Sequence, residues 1–340
     1  MRAEAGFLAC VLVSGCAINL ASERAAPTPE PELPALSGCL PLADRAAALT
    51  GRLSLVTLAD QTPLAIAESA TVEGETRSVA FSGATSGCLT ESAPLSAQPL
   101  IDTAALSQVA TIRARPLAAL TLGDTLLYFS ADHASGLGSE GVGVARWEAS
   151  SQRFVALSLL WTADRPSYGS AAAVVGDQLY VLGGLAARFL SADVYLARVP
   201  RAQLTEPSAY EYWQGGGNFG PDPDSARPLV AGGTAPSLAW NAEHQRWLLL
   251  YATPLSTAVT VRSGLSVSGP WSAPHALGGC DLPASDASAF CGELSLTPTL
   301  AADGQIAFTQ GVASFTRPAN ATDHDFWTRL VRVPWPSALP

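Results

Sequence analysis

Ser170-Ala171-Ala172-Ala173-Val174-Val175, then Gly176-Asp177, then Gln178-Leu179-Tyr180-Val181-Leu182, and past a loop Asp193-Val194-Tyr195-Leu196-Ala197-Arg198: this stretch decides the fold. It reads as an apolar strand, a tight turn, a second apolar strand, a loop and a third strand ending in Arg. The same text recurs on either side. Upstream stand Leu117–Leu120, Leu126–Phe129 and Val142–Arg146. Downstream stand Ser237–Trp240, Trp247–Tyr251 and Val259–Arg262, and then Thr299–Leu300, Ile306–Thr309 and Leu330–Arg332. A weaker copy opens the series: Leu53–Leu58, the turn Asp60-Gln61, Leu64–Ala67 and Ser78–Phe81, with no Arg at its end. A repeat of roughly 50–70 residues built from three or four strands is the mark of a β-propeller. The chain is therefore expected to be all-β, a five-bladed β-propeller with blades of three to four antiparallel strands. Four blades beside a separate N-terminal β-subdomain is the alternative.

The connections are unequal in length, and that asymmetry places a site. The turns between first and second strands are short: Gly123-Asp124, Gly176-Asp177, Asn241–Arg246 and Asp303-Gly304, as tight hairpins require. The opposite end carries the long segments Ala131–Gly141, Gly183–Ala192 and Gly311–Trp327, and the crossings Thr162–Tyr168, Gln214–Gly233 and Gly278–Glu293. A rigid ring with its irregular sequence on one face is the usual layout of a binding surface.

Outward from the repeats, the N-terminus reads as an export signal. The apolar stretch Ala5–Val13 runs into Val13-Ser14-Gly15-Cys16, which resembles the box of a bacterial lipoprotein signal peptide, where the Cys is lipidated and becomes the first mature residue. The expected division is a signal over 1–15, an Ala/Pro-rich tether over 16–37 and the propeller over 38–340, with the protein exported and held by lipid at Cys16, in the outer membrane of a Gram-negative cell. Of the other cysteines, Cys39, Cys88, Cys280 and Cys291 are even in number and suit an oxidising compartment. Proximity favours Cys280–Cys291 and Cys39–Cys88; zinc is the rival reading, without C-x-x-C spacing to support it. A net charge of −10 argues against nonspecific nucleic-acid binding, which needs a basic face.

The fourth unit is the most specific. Ala235-Pro236-Ser237-Leu238-Ala239-Trp240-Asn241, Trp247-Leu248-Leu249-Leu250-Tyr251 and Val259-Thr260-Val261-Arg262-Ser263 close with Ser268-Gly269-Pro270-Trp271-Ser272, read as an outer strand. This resembles the five-bladed propellers of the arabinanase, xylosidase, invertase and levansucrase superfamily. It is similar, more closely, to a bacterial propeller family defined only as a domain of unknown function. The resemblance implies carboxylates at the channel mouth that flank a glycosidic bond, about 5–9.5 Å apart. It also implies a catalytic Asp at the start of the first inner strand, where this chain has Gly51-Arg52-Leu53.

The candidates for chemistry lie in the loop-bearing face. Glu293, placed by this reading just before the last inner strand and beside Cys291, is the first catalytic candidate. Asp132 is the second, next to His133, which could hold a ligand or orient a base. Arg165 and Tyr168 flank an inner strand and offer a fork and an aromatic ring to a sugar; Phe219 is a second possible platform. Each has a plainer reading as a solvated or paired loop residue, and Asp132 as a loop cap. No metal centre is expected, although Asp323-His324-Asp325 with Asn320 leaves calcium open. Arg146, Arg198, Arg262 and Arg332 recur at equivalent positions and read as blade-stabilising. The functional reading is a ligand-binding envelope lipoprotein whose partner is carbohydrate or another envelope component. Two alternatives stand beside it: a glycoside-hydrolase-like enzyme using loop carboxylates, and a scaffold for proteins.

Overall fold

In the computed structural model, the structure describes residues 40–41, 49–72, 75–82, 84–85, 88–89, 95, 98–106, 112–133, 138–188, 191–254, 256–280, 282–283, 286–298, 301, 304–314 and 328–340. The signal, the tether, Cys16, Cys39 and Asp323–Asp325 lie outside these residues, as does the side chain of Cys88. Five small antiparallel sheets form the blades of a propeller. Blade 1 is Leu49–Thr57, Pro63–Val72 and Glu75–Ser82. Blade 2 is Ile112–Leu122, Asp124–His133, Ser139–Glu148 and Arg153–Thr162. Blade 3 is Ser167–Val175, Gln178–Arg188, Ser191–Pro200 and Glu211–Gly215. Blade 4 is Thr234–Asn241, Arg246–Ala252, Ala258–Gly264 and His275–Gly279. Blade 5 is Ala289–Leu296, Gln305–Ser314 and Arg329–Pro334. Blades 2 and 3 exceed the expected four strands: Ile101–Asp102 joins the rim of blade 2 in parallel, and Asn218–Gly220 and Val230–Ala231 extend blade 3.

The second strands explain why the repeat was so apolar. In Leu126-Leu127-Tyr128-Phe129, Leu126 and Tyr128 pack towards blade 3, whereas Leu127 and Phe129 pack towards blade 1. In Leu248-Leu249-Leu250-Tyr251, Leu248 and Leu250 face blade 5, and Leu249 and Tyr251 face blade 3. Side chains alternate along a strand, so a strand buried on both faces is apolar without interruption. The five hydrophobic clusters are the five interfaces between neighbouring blades. The last of them closes the ring, with Leu53 and Ala65 of blade 1 against Ala307 and Leu330 of blade 5. Thr309 Oγ1 and Thr328 Oγ1 seal the same junction, donating to the carbonyls of Leu53 and Gly51 at 3.2 and 2.8 Å.

Three expectations change. The inner strand of blade 5 is Ala289–Leu296, not Thr299–Leu300. Gly183–Ala192 is mostly strand, because Gln178–Arg188 and Ser191–Pro200 run on as a ribbon. The Gly-Pro-Trp-Ser string is a turn with a cis Gly269–Pro270 bond, and the outer strand follows it at His275–Gly279.

One local feature is common to all five inner strands. Each slips register against its partner at the same level, between Thr50 and Leu53, Pro116 and Ala119, Tyr168 and Ala171, Thr234 and Ser237, and Cys291 and Leu294. The slip leaves Gly51–Arg52, Leu117–Ala118, Gly169–Ser170, Ala235–Pro236 and Gly292–Glu293 unpaired. Bulges bend a strand and re-aim its side chains. Here they ring the mouth of the axial channel.

Candidate active site

Two of these bulges supply the centre of a charged cluster. Arg52, from blade 1, is 4% exposed. Its Nε and Nη2 donate to Glu293 Oε2 at 3.2 and 2.8 Å, and its Nη1 donates to the Ser170 carbonyl of blade 3. Blades 1 and 3 are not neighbours, so this side chain reaches across the channel. Glu293 therefore sits within the inner strand of blade 5, at its bulge, and not in the crossing before it as the sequence suggested.

Glu68 completes the group. It stands in the second strand of blade 1, opposite the Gly51–Arg52 bulge, where the register skips from Ser69 to Ala67. Its Oε2 accepts from the Arg52 main-chain N–H at 2.8 Å. Gly51 makes room for it: its φ is +79°, and a Cβ there would come within 2.5 Å of Glu68 Oε2. The carboxylate of Glu68 thus occupies the space that a side chain at the start of the inner strand would fill.

Arg115, from the inner strand of blade 2, links three acids. Its Nε donates to Asp132 Oδ2 at 2.9 Å, and its Nη1 lies 3.6 Å from Glu68 Oε1 and 3.8 Å from Glu293 Oε1. Both glutamates are thus within reach of one nitrogen. Three carboxylates share two guanidinium groups, and the sharing is uneven. Burial and the nearby charge of Glu293 raise the Glu68 carboxyl above its ordinary value, against the pull of Arg115. Burial would raise Glu293 as well, but Arg52 and Arg115 outweigh it and hold that carboxyl below the ordinary value. Burial alone would lower Arg115, yet its three acids hold it firmly charged. Two neighbouring carboxyls whose pKa values are pushed apart are the pattern by which one site assigns an acid and a base.

A cavity of about 450 Å³ opens beside them, with Glu68 and Glu293 in its wall. Thr234 and Ala235 at the blade 4 bulge, and Phe290 and Val312 from blade 5, also line it. The Cys280–Cys291 disulfide forms as expected and ties the last strand of blade 4 to the inner strand of blade 5 at the cavity edge.

The remaining sequence candidates fall in different places. Asp132 joins the cluster, held by Arg115 and by Ser130 Oγ. His133 turns away from it, with Nδ1 3.3 Å from Glu140. Arg165 is paired with Asp224 and Asp164 on a surface crossing. Tyr168 offers no ring to a ligand: it is fully buried, packed at 5.0 Å from Trp161 and 5.6 Å from Tyr212. Phe219 is covered by the Arg198 guanidinium at 4.1 Å. Three of the recurrent arginines, Arg146, Arg198 and Arg262, bond within their own blades. Arg198 pairs with Glu211 at 2.6 Å, and Arg262 bonds Tyr251 Oη and the Ser272 carbonyl at 3.0 and 2.7 Å. Arg52, Glu68 and Arg115 were missed. The signal for Arg115 was present, because Arg113 and Arg115 enter an apolar inner strand, and a cation near a core needs an acid.

A five-bladed propeller with carboxylates gathered at one mouth defines the class. The chain belongs to the DUF4185 family, a domain of unknown function, which matches residues 127–320. No curated protein matches it. Among solved structures, it is similar to a putative hydrolase from Bacteroides ovatus, at 12% identity and a TM-score of 0.53, over 88% of this chain and 92% of that one. An α-L-arabinofuranosidase from Lactobacillus brevis superposes at 11% identity and 0.55, over 88% and 97%. A GH43_1 enzyme from Xanthomonas citri, complexed with xylotriose, does so at 17% and 0.51, over 86% and 92%. At these identities the likeness establishes the fold.

Proposed function

We propose that the chain is a carbohydrate-active propeller that cleaves glycosidic bonds at this cavity, with Glu68 as the acid and Glu293 as its ionised partner. The observation that carries the reading is the placement of two carboxylates, one raised and the other lowered from its ordinary value, in the wall of one cavity. Glu68, whose carboxyl is raised by burial and by the nearby charge of Glu293, gives its proton to the leaving glycosidic oxygen. Glu293 supplies negative charge at the anomeric carbon, either by attacking it or by activating a water. Asp132 acts indirectly, by holding Arg115 between the two glutamates. The superposed glycosidases support a carbohydrate ligand over other classes.

A second reading, binding without turnover, is favoured by one observation. Arg52 gives Glu293 Oε2 two hydrogen bonds, and so strong a partner makes a carboxylate a weaker nucleophile. Reducing-sugar release from a panel of polysaccharides, with affinity electrophoresis on the same polymers, separates the two. Turnover lost in both Glu293→Gln and Glu68→Gln establishes the hydrolase. Retardation without turnover establishes the binding module, and silence in both assays removes carbohydrate as the ligand. With Cys16 as the lipid attachment point, we place the propeller outside the cytoplasm on a tether. Labelling with a palmitate analogue that persists in Cys16→Ser would contradict that placement.

A further inference from the structure

Arg52 is where the cognate side chain of an enzyme of this shape would be least expected: a cation, nearly without solvent contact, at the bulge of the first inner strand. Its three nitrogens are all engaged, two by Glu293 Oε2 on blade 5 and one by the Ser170 carbonyl on blade 3. Arg52 takes both bonds on the same oxygen and anchors its other arm across the channel, which leaves its guanidinium little freedom to turn. We propose that Arg52 is a positioning residue: it fixes the Oε2 edge of Glu293 and turns Oε1, which stands 3.8 Å from Arg115 Nη1, out as the oxygen that reacts. The role in catalysis rests on the hydrolase reading above; the positioning of the carboxylate does not.

The surroundings of Glu293 make the role testable. The charged groups that face it are Arg52 from the inner strand of blade 1, Glu68 from the second strand of blade 1 and Arg115 from the inner strand of blade 2. Asp132 stands behind Arg115. Blade 3 brings only the Ser170 carbonyl through Arg52, and blade 4 brings Thr234 and Ala235 to the cavity. Among the described residues, Arg52 and Arg115 are therefore the two cations that act on this carboxyl. Arg115 stands 3.8 Å away and is shared with two other acids. Arg52 is closer, at 2.8 Å, and its charge acts on Glu68 as well.

The experiment is a carboxyl-carbon NMR titration of the full chain labelled with 13C-glutamate, with Glu293 assigned by its loss in Glu293→Gln. In the native chain Glu293 is expected to titrate below the ordinary glutamate value of 4.5, because Arg52 and Arg115 outweigh its burial. In Arg52→Met it moves up by about one unit or more, the effect of removing an adjacent opposite charge. Arg52→Lys keeps a charge but not the planar fork, so cleavage loses kcat by about tenfold or more with KM little changed. A native Glu293 that titrates at or above 4.5, a folded Arg52→Met in which it does not move, or an Arg52→Lys with full kcat overturns the proposal. If Arg52→Met does not fold, the native titration and Arg52→Lys still decide. A chain without glycosidase activity removes the hydrolase reading, and the titrations alone then settle whether Arg52 governs this carboxylate.

Discussion

Gly51 provides the sharpest check on how the site is built, because its missing side chain is what admits Glu68. Replacing it with Ala acts in two ways. The backbone is held at φ +79°, where an L-residue costs about 1–2 kcal/mol. The new Cβ would also stand 2.5 Å from Glu68 Oε2 and 2.8 Å from Cδ, so the carboxylate must leave. That forfeits its bond from the Arg52 N–H, about 0.5–1.5 kcal/mol, and forces a poorer rotamer, about 0.5–1.5 kcal/mol more. The second part disappears when Glu68 is already Ala. Urea unfolding of the native chain, Gly51→Ala, Glu68→Ala and the double variant, all with the disulfide intact, reads this directly. The double variant is expected to be more stable than additivity predicts by about 1–3 kcal/mol. Additivity within about 0.5 kcal/mol would mean that Glu68 does not fill the place of a residue-51 side chain, and the account of the site would be wrong.

Other outcomes follow from single features. Among the described residues Tyr168 Oη is buried without a partner, so Tyr168→Phe should leave thermal stability unchanged or raise it, by up to about 1 kcal/mol; a clear loss would reveal a bond not accounted for. The Cys280–Cys291 disulfide closes a separation of 11 residues, and converting both to Ser should cost about 2.5–3 kcal/mol on loop entropy, measured by urea midpoint. The pH dependence of stability should divide between the two glutamates. Glu293, lowered by its guanidinium neighbours, adds stability above the ordinary value of 4.5 that is lost as pH falls through its folded value. Glu68, raised by burial, adds stability at low pH that is lost as pH rises past 4.5 through its folded value. Relative to the native chain, Glu293→Gln should lose less stability on acidification and Glu68→Gln less on the alkaline side; parallel curves would contradict both directions.

The parts of the fold that depend on alternation were legible, and the parts that depend on bulges were not. Leu126–Phe129 and Trp247–Tyr251 revealed blades because both faces of the second strand are buried, which produces an unbroken apolar run. Ala289–Leu296 was passed over for Thr299–Leu300 because it carries Gly292–Glu293 in mid-strand. A period-two reading rejects a charge there, whereas a two-residue bulge turns it out of the blade interface and into the channel mouth. Glu68 was hidden for the same reason. At the end of Leu64–Ala67 it reads as the start of a turn, although the opposing bulge aims it at the axis. The resemblance implies an acid where the chain has Gly51–Arg52, and a carboxylate does stand beside that position, carried by Glu68 on the neighbouring strand. Tyr168 misled in the opposite direction, since its place beside a crossing suggested exposure and the aromatic cluster between blades 2 and 3 buries it.

The central claim is that one cavity raises the Glu68 carboxyl and lowers that of Glu293, and the most direct measurement is the pH dependence of kcat/KM on a cleaved polysaccharide, which reports the essential acid and base of the free enzyme. The account predicts a bell whose acid limb lies below 4.5 and is set by Glu293, and whose alkaline limb lies above 4.5 and is set by Glu68. Glu68→Gln should abolish the alkaline limb and most of the rate. A profile whose alkaline limb survives in Glu68→Gln would contradict the assignment of Glu68 as the acid.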